Sequence, residues 1–375
     1  MPVSKAMWRI GGGSACGVAC SATRRSTDRT HGGDMDNKRA GIIGTGLIGG
    51  SIGAGLRRAG WHVSGYDADP AVSALAAEAD LVDDVASSVA DLLDGDPDLI
   101  VVAAPPTATV EIVSTLSWDG VVMDVAGVKA PVVAAAAHLP GFVGTHPMAG
   151  RETSGPTAAT AALFHGASWV VVEGAAPSSL ALATDAIESL GARPIHMSAV
   201  QHDRAVALIS HLPQLVAGSL LSAAAESPHS IDLAAGSFRD LTRVGASQPI
   251  PWVEILKSND AAVLEAIGAL RERLAMIEAA IMSNDDSLLT LLASARETRR
   301  ALGSPMAQVR VALADKPGEL AKAGHAFEAS GVDIRDIQMR HAPHGGGGVL
   351  TLSVRPGEEG SLRLALEREG LLVIP

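Results

Sequence analysis

The chain has 375 residues, enough for two or three domains with their own cores. A formal net charge of −12 and an aromatic content of 3% argue against a nucleic-acid partner and against an anionic membrane surface, so an anionic substrate needs a local pocket of Arg or Lys. Both cysteines, Cys16 and Cys20, precede Met35, which excludes a disulfide framework and a cysteine-based zinc site from the rest of the chain.

Residues 1–36 are rich in Gly, Ser, Thr and Arg, lack the apolar core of a signal peptide, and are expected to form a disordered tail, with Met35 as the natural first residue. Order is expected to begin at the strand Gly41–Ile43, followed by Gly44-x-Gly46-x-x-Gly49 and a helix to Arg58. Gly44 permits the tight turn, Gly46 lets a pyrophosphate approach the backbone, and Gly49 lets the helix pack on the sheet. Leu47 and Ile48 open that helix, whose first N–H groups favour an anion. A second strand, His62–Tyr66, ends in Asp67, 18 residues after Gly49. An acid there accepts from a ribose diol and repels a 2′-phosphate, which favours NAD over NADP as cofactor.

Short apolar strands and helical segments then alternate to about Met197: strand 98–104, helix 109–116, strand 121–124, helix 130–137, and strands 142–145, 169–172 and 194–196. This predicts a mostly parallel sheet with helices on both faces and ligands beyond the strand ends, where Ala104, Pro105, Asp124, Gly127 and His146 fall. Strand signals stop at Met197, and helices are expected at 205–224, 232–235, 251–258, 261–282 and 285–302. The apolar run 205–225 carries His211, Pro213 and Gln214 near its centre, so it reads as a buried helix rather than a membrane span, and the unit as a dimerisation candidate. From Ala307 the order is βαββαβ, with a turn at 315–318 and a hairpin loop at 344–348, a ferredoxin-like pattern. The expected organisation is a tail (1–36), a Rossmann-type NAD-binding domain (37–197), an all-α domain for dimerisation and substrate (198–303), and a C-terminal α+β domain (304–375), with Ser304-Pro305 at the last boundary.

An enzyme oxidising an alcohol needs a base near neutral pKa to take the hydroxyl proton as hydride leaves, and His146 fits by position. Its rate is expected to fall in acid as an ordinary imidazole of pKa ~6.5 protonates. His202 and Asp203, with His211 and Gln214 three residues apart, form a second polar cluster, readable as a packed network or as substrate contacts. Arg239 and Arg243 are able to clamp a carboxylate. No His/Asp/Glu group has metal-ligand spacing.

Taken together, six segments resemble the prephenate dehydrogenase family followed by an ACT regulatory domain. They are the glycine fingerprint 44–51; Asp124-x-x-Gly127-x-Lys129; the segment 144–150 around His146-Pro147 with Glu152, Ser154 and Gly155 after it; His202-Asp203 with 210–213; 238–243; and 315–320. The resemblance implies NAD-dependent oxidative decarboxylation of prephenate to 4-hydroxyphenylpyruvate and carbon dioxide in a cytoplasmic homodimer. It implies His146 as base, Arg243 as ligand of a substrate carboxylate, and His211, Gln214, Gly127 and Thr145 along the substrate. It further implies an aromatic amino-acid effector, tyrosine first, at Asp315, Pro317 and Gly318. Two positions depart from the family pattern. Gly127 replaces a serine, leaving water, Thr145 or a backbone group to substitute for the hydroxyl. Gln214 replaces a histidine and leaves arogenate open as the substrate. A catalytically inactive nucleotide sensor is the remaining alternative.

Overall fold

The structure, a computed structural model, describes residues 38–150, 153–227, 229–283, 285–301, 307–341 and 347–374. The tail with Cys16 and Cys20, Glu152, the Ser304-Pro305 boundary and residues 344–346 of the hairpin loop lie outside the described residues. The chain falls into two compact units, one ending at Arg271 and one from Glu272 to the C-terminus.

The first unit begins with β1 (Arg39–Ile43), α1 (Leu47–Arg58), β2 (His62–Tyr66), α2 (Pro70–Glu78), β3 (Asp84–Val85) and α3 (Val89–Asp94). It continues with β4 (Leu99–Val102), α4 (Pro106–Thr115), β5 (Val121–Asp124), α5 (Ala130–Ala135) and β6 (Phe142–Val143). These strands form one parallel sheet in the order β3-β2-β1-β4-β5-β6. The order reverses between β1 and β4, which opens a crevice at their carboxyl ends. The central strands are apolar on both faces, with Ile42, Ile43 and the whole of β4 buried under helices on either side, as a parallel sheet requires.

The sequence pattern puts residues 169–172 and 194–196 with the strands of the parallel sheet. In the structure they do not extend it. β7 (Thr145–Pro147), β8 (Ser168–Val172) and β9 (Arg193–Met197) form a separate mixed sheet in that order, with α6 (Pro177–Ser189) between the last two. The cause lies at Gly144-Thr145: Thr145 N–H donates to the Asp124 carboxylate, and Gly144 O accepts from Val172 N–H. The chain therefore leaves β6 and carries His146 onto an antiparallel pairing with Val170.

After β9 the unit is helical. The single helix expected at 205–224 is instead α7 (Ala199–Val206), a π-helical turn (Ala207–His211) and α8 (Leu212–Glu226). Pro213 has no N–H for an i−4 carbonyl, and the widened turn just before it absorbs the mismatch. The stretch Ala199–Glu226 is long and apolar enough to cross a membrane, with a mean hydropathy of 1.5, but its buried His202, Asp203 and His211 are bonded to protein partners. The helix expected at 232–235 is displaced: turns occupy that stretch and α9 is Gly236–Thr242. A 3₁₀ turn (Arg243–Ala246), α10 (Pro249–Ser258) and α11 (Asp260–Met282) follow, and the division between the two units falls within α11.

The second unit holds the end of α11, α12 (Ser287–Ala301), β10 (Ala307–Leu313), α13 (Glu319–Ser330), β11 (Asp336–His341), β12 (Gly348–Val354), α14 (Glu359–Arg368) and β13 (Leu372–Ile374). Its sheet is antiparallel in the order β11-β12-β10-β13. Val309, Val311, Leu350 and Leu352 alternate inward and pack on Ala323, Ala326, Leu362 and Leu366 of the two helices.

Candidate active site

The turn after β1 has the geometry a dinucleotide needs. Gly44 takes φ +95°, and a Cβ there would lie 2.4 Å from Ala103 O. A Cβ on Gly49 would lie 1.8 Å from Gly44 O, so the first turn of α1 packs on the strand end only without a side chain. A Cβ on Gly46 would meet nothing within 4 Å, leaving the backbone open to a phosphate beside the N–H groups of Leu47 and Ile48. Across the crevice, Ala104 and Pro105 follow β4, with Ala104 O held by the Thr109 hydroxyl at 2.9 Å. Asp67 stands at the end of β2, where its carboxylate accepts from Thr45 N–H at 2.9 Å and Asp69 N–H at 3.0 Å. It thus also ties the second strand to the glycine turn, which spacing alone does not reveal.

Beyond β5 lies a buried ionic knot. Asp124 and Lys129 are fully buried and bonded to each other, and Lys129 Nζ also donates to Thr145 O at 2.6 Å. Asp124 further accepts from Ala126 N–H at 2.9 Å and Thr145 N–H at 3.1 Å, while the Thr145 hydroxyl donates to Asp124 O. Burial pushes the Asp124 pKa up and the Lys129 pKa down, and their mutual attraction opposes both shifts. The knot fixes the Asp124–Lys129 loop against the strand carrying His146. Thr145 is committed to it, so its hydroxyl is not the substitute for the missing serine that the sequence suggested.

His146 sits on β7 with Nδ1 2.8 Å from His202 Nε2, and the rings meet edge-on at 80°. His202 Nδ1 lies 2.7 Å from Asp203 Oδ1. Asp203 also accepts from Lys129 N–H at 2.7 Å and Ala130 N–H at 2.8 Å, which fastens α7 to the start of α5. Burial works to raise the Asp203 pKa, but the His202 bond and the two N–H donors outweigh it and hold the carboxyl below the usual range. Burial first, then the charges of His202, Lys129 and His211, push the His146 imidazole well below 6.5. His146 itself therefore stays neutral further into acid than the unperturbed value taken from sequence. A Cβ at Gly127 would lie 3.6 Å from His146 Nε2. The ring nitrogen not used by His202 thus faces Gly127, in the space a serine side chain would occupy.

The other sequence candidates lie on the helices of the same unit. His211, in the π turn, accepts from Asn259 Nδ2 at 3.3 Å and meets the Trp252 ring edge-on. Asn259 also donates to Asp203 O at 2.8 Å, so His211 joins the network behind His146, and burial lowers its pKa. Gln214, on α8, has a buried Oε1 with no hydrogen-bond partner among the described residues. Arg243 is exposed on the 3₁₀ turn, which packs on α8 where a Cβ at Gly245 would touch Leu221. Sequence reasoning placed Asp124 at a strand end and read His202 and Asp203 as a polar cluster, but gave Lys129 no role of its own and did not single out Asn259. The available signal was an Asp and a Lys set in apolar surroundings at a strand end, and adjacent His and Asp on an apolar helix.

Both parts of the first unit are similar to known proteins. Residues 52–196 match the model of the prephenate dehydrogenase nucleotide-binding domain, and residues 198–294 that of the prephenate dehydrogenase dimerization domain. The prephenate dehydrogenase of Lactococcus lactis is 32% identical over 270 residues, 67% of this chain and 73% of that one. The structure of prephenate dehydrogenase from Aquifex aeolicus in complex with hydroxyphenyl propionate and NAD+ is similar with a TM-score of 0.66 and 28% identity, covering 71% of this chain and 98% of that one. That of Synechocystis arogenate dehydrogenase gives a TM-score of 0.63 and 30% identity, covering 71% of this chain and all of that one (100%). The chain belongs to the prephenate dehydrogenase family and is an NAD-dependent oxidoreductase.

Proposed function

We propose that the chain oxidatively decarboxylates prephenate to 4-hydroxyphenylpyruvate, with His146 as the base. The observation that carries this reading is His146 Nε2 facing Gly127, with Nδ1 engaged by His202, in a chain of this family. The crevice fits NAD: Gly44, Gly46 and Gly49 with Leu47 and Ile48 would hold the pyrophosphate, Asp67 the ribose, and Ala104 and Pro105 the facing wall. When bound, NAD supplies a hydride acceptor. His146 takes the proton from the substrate's C4 hydroxyl as hydride leaves that carbon. The ketone oxygen that develops draws the electrons of the ring carboxylate bond, carbon dioxide departs, aromatisation makes the loss favourable, and the resulting phenolate oxygen takes back the proton. Lys129 and Asp124 hold the His146 strand in place without touching its ring nitrogens. Arg243 is assigned a substrate carboxylate, which its planar fork suits.

Gln214 favours a second reading. Its buried Oε1 has no donor among the described residues, and the side-chain amine of arogenate is a donor where the keto group of prephenate is not. Formation of NADH with each substrate in turn discriminates between them. Prephenate as the preferred substrate supports the first reading, and turnover of arogenate alone overturns it.

The domain boundaries at 197 and 303 are part of the proposal, with 304–375 as an ACT domain. Its βαββαβ order supports this, as does the turn before α13, where Gly318 takes φ +95° and a Cβ would meet nothing within 4 Å. Asp315, Pro317 and Gly318 would receive tyrosine or a related amino acid there. A homodimer joined through the helices of the first unit is supported by exposed Leu208, Ile209, Leu241 and Leu264, and a cytoplasmic location is part of the same proposal.

A further inference from the structure

We propose that His202 is a proton-relay residue: the chain Asp203–His202–His146 passes the proton taken from the substrate hydroxyl through His146 to His202. The inference rests on the assignment of His146 as base.

The direction of the chain follows from what each atom is able to do. A carboxylate only accepts, so His202 Nδ1, 2.7 Å from Asp203 Oδ1, carries a hydrogen. Asp203 is held in place by Lys129 N–H and Ala130 N–H, at 2.7 and 2.8 Å, so it has no freedom to turn away. A neutral His202 with its hydrogen on Nδ1 has a bare Nε2. That atom lies 2.8 Å from His146 Nδ1, and two bare nitrogens at this distance would repel, so His146 Nδ1 carries its own hydrogen and donates it. The bare nitrogen of His146 is then Nε2, the one facing Gly127. Each tautomer is set by the group behind it, back to Asp203.

The relay balances as one proton moved two bonds along. The substrate O–H bond breaks as His146 Nε2–H forms, and His146 Nδ1–H breaks as His202 Nε2–H forms. His146 returns to a neutral ring, and the positive charge rests on His202. That is the better place for it. An imidazolium at His202 is paired with Asp203 at 2.7 Å, whereas one at His146 has no carboxylate bonded to it and stands near the buried Lys129. Asp203 faces the relay from α7, Lys129 and Asp124 from the loop after β5, and His211 from the π turn. Burial disfavours charge on His146, which a base working alone would have to bear through the decarboxylation. The acid limb of the rate therefore belongs to the His146–His202–Asp203 unit rather than to one ring.

The test is the pH dependence of kcat and kcat/KM for the full-length wild type, His202→Leu and His202→Gln, with prephenate or, where it is the better substrate, arogenate. Thermal melting and NAD binding report folding. For His202→Leu the relay predicts a kcat about 10–100-fold lower with KM changed by no more than about twofold. It also predicts an acid limb moved to lower pH, because the isolated buried His146 resists protonation. His202→Gln still accepts the His146 Nδ1 hydrogen but is unable to take a proton. It should recover part of kcat while its acid limb stays at the lower pH. A limb that moves up in His202→Leu means His202 acts only by repelling charge on His146, and the relay is wrong. Glutamine restoring both the wild-type kcat and the wild-type limb also overturns it, because positioning alone then suffices. Should the leucine variant fail to fold, the limb of the glutamine variant decides. A wild type that turns over neither substrate sinks the functional reading and the relay together, whereas an active wild type with unmoved limbs in both variants sinks the relay alone.

Discussion

The two units spend their interiors differently. Among the described residues, the first unit buries Asp124, Lys129, Thr145, His202, Asp203, His211 and Asn259, most of them linked by hydrogen bonds around His146. In the second unit Ser353 is the one buried polar side chain among the described residues, and the sheet packs on its helices through Val, Leu and Ala. Burying a charge is costly unless each lone pair and proton is satisfied, so a core of the first kind persists where chemistry needs it. A core of the second kind holds its unit together by apolar packing. The buried polar network of the first unit thus sets the candidate active site apart from the apolar core of the second.

The contrast breaks most sharply at Lys129. Lys129→Met leaves Asp124 buried without its cation, and removing one partner of a buried pair costs about 3–5 kcal/mol. Denaturant unfolding should register that loss, with turnover falling alongside. A change within about 0.5 kcal/mol, typical of surface sites, would show that the knot is not structural. Arg243→Leu should raise KM for the substrate with NAD affinity unchanged. Because Arg243 is exposed in the chain, the effect should sit near the low end of the range for charged contacts, about 2 kcal/mol. Equal damage to both ligands would indicate misfolding instead.

Local features of the site were legible in the sequence, and long-range ones were not. The glycine turn, Asp67 and the strands flanking the crevice are set by residues close in sequence, and the structure has them where spacing put them. His146 was legible because it follows a strand end. Its partner His202 was not, because the contact spans 56 residues and depends on α7 docking against α5 through Asp203. The separate sheet of β7, β8 and β9 was missed for a related reason. An apolar strand carries no mark of which sheet it joins, and here one Asp124–Thr145 bond redirects the chain. The π turn was hidden too, since Pro213 signals a disturbance but not its form.

Two smaller effects sharpen the comparison. Asp67→Ser combined with Ala68→Arg should move cofactor preference toward NADP by removing repulsion of the 2′-phosphate. Because Asp67 also braces Thr45 N–H, some NAD affinity should be lost with it, and an unchanged NAD/NADP ratio would end the ribose assignment. In the second unit, tyrosine should inhibit the full chain and not a chain ending at Gly303, with a coupling of about 1–3 kcal/mol. Equal inhibition of both would mean that tyrosine competes at the active site and that the turn at Asp315–Gly318 binds nothing.

The most direct test of the central claim is NADH formation from prephenate by the wild type and by His146→Ala, at equal and saturating NAD. The account predicts NADH and carbon dioxide in equal amounts from the wild type. It predicts a rate about 10²–10⁴-fold lower from His146→Ala, with NAD binding and melting unchanged. Turnover of the alanine variant at the wild-type rate would remove His146 from the mechanism and contradict the account.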